Sequence, residues 1–149
     1  MLTGPIERVR NHPMTATLDD IKETFDLLGD DWDERYRYII ELGKDLPPMD
    51  EGDKVDANKV RGCASQVWMV MALDKGHIEL LADSDAHIVR GLIAVLLAAY
   101  QGKTPQQAKA FDIDALMNEL QLSQALSPTR TNGLLSMIKR IQRLSEQAL

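Results

Sequence analysis

"VWMVMALDKGHIELLA", residues 67–82, decides the fold. Two apolar runs flank Asp74-Lys75-Gly76, and Gly76 can take the positive φ that a tight turn needs. The spacing predicts a β-hairpin with strands over 67–73 and 77–82. On the first strand Val67, Met69, Met71 and Leu73 alternate with Trp68, Val70 and Ala72. Both faces are apolar, so burial on both sides is expected. A short third strand is hinted at over Lys54–Asp56 or Lys59–Arg61.

Helical patterns surround the hairpin. Upstream, Thr17 and Asp20 give a capping-box signal ahead of Ile21, Phe25 and Leu28, and Gly29 is placed to end that helix. Asp31 opens a second helix, in which Tyr36, Ile39, Ile40 and Gly43 share a stripe and Glu34, Arg35 and Arg37 are expected to face water. Pro47 and Pro48 close it, and the polar stretch 49–58 reads as a loop. Downstream, Ser84 is read as the cap of a helix from about Asp85 to Gln101. Its apolar residues cover most of the circumference, so it should be central, and Gly91 within it allows close backbone packing. Shorter helical pieces follow over 104–122. Ser127-Pro128 then starts a last helix with Leu134, Leu135, Ile138, Ile141 and Leu144 on one face. The order implies an α+β domain over 17–149, a small antiparallel sheet packed on several helices, after a loose leader over 1–16.

Composition narrows the function. The chain has 149 residues and a formal net charge of −6, and phosphate binding needs clustered Lys and Arg, so nucleic acid is not the expected main partner. The apolar run 92–100 is about half the roughly 20 residues that span a bilayer. The N-terminus carries no apolar signal core, which with one free thiol points to the cytoplasm.

That thiol, Cys63, is the only cysteine, and it follows Gly62. A free cysteine is commonly a small buried hydrophobe. Here polar loop precedes it and glycine suggests a surface turn, so local context leaves burial and reactivity equally open. A thiol hydrolase would need an imidazole; only His12, His77 and His87 exist, and His77 or His87 could approach Cys63 in the fold, which spacing alone does not show. Metal-ligand spacing is absent, a cluster scaffold needs several thiolates, and a thioredoxin-like role needs a resolving cysteine. A thiol that takes up a group and hands it on remains. Separately, Arg130 sits near a helix N-terminus, where the dipole disfavours a cation, which suggests binding to an anion or a partner carboxylate. Ser84 and Asp85 are explained by capping alone.

Four stretches, "DWDERYRYIIELGKDLPP", "NKVRGCASQVWMV", "DSDAHIVRGLIAVLLAAYQGKTP" and "LSPTRTNGLLSMIKRI", resemble the SufE family of sulfur acceptors, in the family's order and over roughly 17–146. The resemblance implies an α+β fold shared with IscU-like scaffolds. It implies that Cys63 accepts persulfide sulfur from a SufS-like cysteine desulfurase, stimulates that enzyme, and relays sulfur to a SufBCD-type complex for iron–sulfur cluster assembly. Pyridoxal phosphate would belong to the desulfurase; this chain would bind no cofactor or metal and act as a monomer or weak homodimer. By the same resemblance Asp85 and Arg130 fall in the region of the active loop and partner contact, while Gly62, Ser65 and Gln66 shape the loop. Two alternatives are a CsdE-like acceptor for a different desulfurase and a docking activator that carries no sulfur. A persulfide must be shielded between encounters, so Cys63 is expected to lie largely buried, sheltered by Trp68, Met69 and the helix around Ile88.

Overall fold

Lys75 and Gly76 both have positive φ, 52° and 82°, the backbone of a two-residue hairpin turn whose twist matches the strands it joins. In this computed structural model, which describes residues 16–149, the turn joins β1 (Val67–Asp74) to β2 (His77–Ser84). The strands pair antiparallel from Val67↔Ser84 to Asp74↔His77. Asp74 therefore belongs to the ladder and not to the link.

Two expectations for the sheet change. The third strand reduces to an isolated bridge of Lys59 with Trp68, extended by the Val60 N–H donating to the Val67 carbonyl at 2.8 Å. Lys54–Asp56 is not a strand. Short 3-10 turns occupy Glu51–Asp53 and Asp56–Asn58, and Asn58 Nδ2 donates to the Asp53 carbonyl at 2.8 Å. Such local bonds compete with a ladder in an Asp- and Asn-rich stretch. Nor is β1 buried on both faces. Val67 and Met69 enter the core, but on the other face only Trp68 and Val70 are covered, by Met49 and Leu81, and Leu73 is 41% exposed.

Seven helices complete the described chain. The first, α1 (Leu18–Leu28), carries the expected Thr17–Asp20 capping box and ends at Gly29 with φ 57°. The next is α2 (Trp32–Lys44), capped by Asp31. Arg35 on α2 does not face water: it is 8% exposed, donates to the Phe25 carbonyl at 3.0 Å, and lies over the Phe25 and Trp32 rings. Its apolar stem and flat guanidinium suit that setting, whereas Tyr36 faces outward.

The central helix is α3 (His87–Tyr100), apolar on nearly every side. It begins two residues later than expected, because Ser84 stays in β2 and its Oγ accepts from the Ala86 N–H at 3.2 Å. The α2 and α3 backbones meet at two glycines. A Cβ on Gly43 would lie 2.6 Å from the Gly91 nitrogen, and one on Gly91 would run into the Ile39 carbonyl. Past α3 the Gln101 side-chain amide bonds both the N–H and the carbonyl of Leu80, at 2.6 and 3.0 Å. Ile78 N–H donates to the Lys103 carbonyl at 2.7 Å. The outer edge of β2 is thus closed by side chain and loop.

Short helices α4 (Pro105–Ala110), α5 (Ile113–Leu120) and α6 (Leu122–Ala125) lead to α7 (Pro128–Gln147), capped by Ser127. On α7 the core takes Leu134, Met137, Ile138 and Ile141, while Leu135 is 41% exposed. No helix among the described residues is long and apolar enough to cross a membrane. The expected loose leader lies, Ala16 apart, outside the described residues.

Candidate functional site

The stretch 60–66 crosses α7 between the Lys59 bridge and the start of β1. Arg140 of α7 holds its approach, with the guanidinium donating to the carbonyls of Lys59 at 3.4 Å, Ala57 at 3.2 Å and Met69 at 3.3 Å. Gly62 then turns the chain with φ 90°, and a Cβ there would sit 2.5 Å from Ser136 Oγ. The positive φ is what calls for glycine at this point, since the Ser136 hydroxyl is a side-chain tip that can turn aside.

At the far end Gln66 and Asp85 close the loop. The Gln66 N–H donates to Asp85 Oδ1 at 3.1 Å, and the Asp85 N–H donates to the Gln66 carbonyl at 3.2 Å. Asp85 is therefore a loop clamp and not a helix cap, which corrects the capping explanation. The side chains of Gln66 and Asp85 remain exposed.

Between these anchors Cys63 is half-buried. Its thiol donates to the Gly133 carbonyl at 3.5 Å. Val89 and Leu92 of α3 and Gly133, Leu134 and Met137 of α7 form the apolar walls of a cleft beside the sulfur, with Ser65 and Arg130 also lining it. The free space in it is about 20 Å³, on the scale of one added atom. A Cβ on Gly133 would lie 3.7 Å from Sγ, so this glycine keeps that wall low. Burial pushes the Cys63 thiol above its ordinary pKa, because ionisation in apolar surroundings forfeits hydration. Burial therefore favours the protonated thiol over the thiolate.

The structure thus brings Cys63, Ser65 and Arg130 to one cleft, with Gly62 turning the chain beside it and Gln66 and Asp85 bracing its loop. It moves the shelter. Met69 sits in the core, Trp68 lies on the opposite face beneath Lys54, and the walls come from α7 and from α3 one residue past Ile88. Gly133, Met137 and Arg140 were not foreseen. A glycine inside the amphipathic pattern of the last helix was the available signal, since it costs about 1 kcal/mol relative to alanine and implies a reason. The histidines stay away. His77 pairs with Asp74 at the hairpin turn, about 23 Å of strand from the cysteine end. His87 is exposed and does not line the cleft, and His12 lies outside the described residues.

Residues 19–145 match the SufE family, described as an Fe-S metabolism associated domain. An uncharacterized SufE-like protein of Rhizobium etli is 47% identical over 131 residues, covering 85% of this chain and 88% of its own length. Another, from Rhizobium meliloti, is 46% identical over 138 residues, covering 90% of this chain and 98% of its own. The solution structure of a hypothetical protein from Thermus thermophilus superposes with a TM-score of 0.71 at 20% identity, over 88% of this chain and 94% of that one. That likeness bears on the fold.

Proposed function

This chain belongs to the SufE family, tied to iron–sulfur metabolism, and from that premise we propose that Cys63 is a sulfur acceptor serving a cysteine desulfurase. The Cys63 thiolate attacks the terminal sulfur of a persulfide on the partner's cysteine. A new S–S bond forms on Cys63, the partner's S–S bond breaks, and its thiolate leaves with the electron pair and takes up the proton that Cys63 gave up. Pyridoxal phosphate on the partner supplies the chemistry that frees sulfur from cysteine. This chain contributes the thiol, its shelter and its delivery, and needs no cofactor of its own. The reaction takes place in the cytoplasm, and sulfur then passes to a SufBCD-type complex.

The observation that carries this reading is the half-buried thiol in a cleft with room for about one more atom. That space suits the outer sulfur of a persulfide. A thiol kept protonated by burial is also a poor nucleophile at rest, so transfer requires the loop to leave the cleft, with Gly62 as pivot and the partner's site completing activation.

Incubation with a SufS-like desulfurase and L-cysteine, followed by intact mass measurement without reductant, tests it. A mass gain on Cys63 in steps of about 32 Da, one sulfur atom each, removed by dithiothreitol, is expected. Faster desulfurase turnover with no mass gain, retained in Cys63→Ser, would establish a docking activator instead.

A further inference from the structure

Next to the cysteine cleft, on the adjoining face of α7, a second groove is formed with Val60 and Arg61 and lined by Ser136, Lys139, Arg140 and Arg143. Four of these six residues are cations, in a chain whose net charge is −6. Glu146 is the one carboxylate on α7, and it pairs with Lys109 at 3.2 Å. Among the described residues no carboxylate pairs with Arg61, Lys139 or Arg143. Arg140 is partly buried, and its Nε has no hydrogen-bond acceptor. Burial and the neighbouring Arg143 charge both push the Arg140 guanidinium below its ordinary pKa. The cations repel one another, and an anion would relieve that repulsion.

The place matters as much as the charge. Gly62 lies between Arg61 of the basic groove and Cys63 of the thiol cleft and packs on Ser136, and the two linings share no residue, so groove and cleft flank one turn of chain. Ser136 to Arg143 spans about two helical turns, about 11 Å. That length takes two or three carboxylates but is short for a nucleic-acid backbone, which the acidic remainder of the chain also repels.

The geometry points to the groove of Arg61, Lys139, Arg140 and Arg143 as a docking site for an acidic segment of the desulfurase that loads Cys63. This rests on the sulfur-acceptor reading and adds the surface that sets the partner's orientation. Engagement beside the loop's pivot would hold the partner's persulfide on the cysteine side while leaving the thiol free to move.

The test uses the full chain with Lys139 and Arg143 both replaced by glutamate. Both are exposed and outside the cysteine cleft, and Arg140 is left alone because it anchors the loop. The readouts are the half-saturating concentration of this chain in desulfurase turnover, the rate at saturation, and the alkylation rate of Cys63. The half-saturating concentration should rise about tenfold at low salt with the saturated rate and alkylation unchanged, and the difference should shrink as salt screens the charges. Loading of wild type with the same half-saturation and salt dependence in the variant would overturn the docking site alone. No loading of wild type would overturn the acceptor reading and the docking site with it. Binding of a single-stranded oligonucleotide by wild type, lost in the variant while desulfurase half-saturation is unchanged, would also overturn it, in favour of a nucleic-acid partner.

Discussion

Gln66 and Asp85 hold each other through two hydrogen bonds, at 3.1 and 3.2 Å, across the base of the Cys63 loop. One of the two uses a side chain, so the clamp can be loosened without touching the backbone. Asp85→Ala removes the carboxylate acceptor, and Cys63 in the isolated chain should then react with iodoacetamide about fivefold faster, the equivalent of one modest hydrogen bond. Asp85→Asn keeps an oxygen acceptor and should stay within about twofold of wild type. Identical rates in all three proteins would mean that the loop opens independently of this clamp.

Burial raises the Cys63 pKa in the folded chain. The pH midpoint of alkylation should therefore lie higher for native protein than for protein in denaturant. The sign for stability follows. Below the unfolded-state pKa the thiol is neutral in both states and nothing is lost. Above it the unfolded chain ionises first, so this group lowers stability as pH rises toward the folded pKa. Cys63→Ala should flatten that part of a pH–stability curve.

Gly133 leaves space beside the sulfur, and its would-be Cβ makes only ordinary contact with Sγ at 3.7 Å. Gly133→Ala should fold, with helix stability raised by up to about 1 kcal/mol. It should also occupy room that the outer sulfur of a persulfide would use. The bare thiol should alkylate as in wild type while the persulfide is lost to dithiothreitol faster; mass spectra taken over a reduction time course measure this.

Gly91 has the opposite character, because its neighbour is the Ile39 carbonyl on the α2 backbone. Backbone cannot step aside as a flexible side chain can. Gly91→Ala should lower unfolding free energy by about 2 kcal/mol, even though alanine is the better helix former by about 1 kcal/mol. Urea denaturation reads the difference, and a variant as stable as wild type would show that α2 and α3 can separate at little cost.

Much of the architecture was legible because its causes are local. Thr17 and Asp20 cap each other within one turn, Ser127-Pro128 opens α7, and Lys75-Gly76 turns the hairpin, each through bonds or dihedrals spanning a few residues. The apolar circumference of α3 announced a central helix, and Cys63 stood out as the lone thiol beside a glycine. What tertiary structure decided is what depends on partners far along the chain. The thiol rests against Gly133, 70 residues away; Asp85 became a clamp by meeting Gln66, 19 residues back; Arg35 turned inward to Phe25 and Gln121; Arg140 reached the Lys59 and Met69 carbonyls. A short-range pattern encodes which face of an element is apolar, since that depends only on its period. Which element covers that face, and which polar group finds which carbonyl, is set by how the elements pack, and the chemistry of Cys63 is built from those packings.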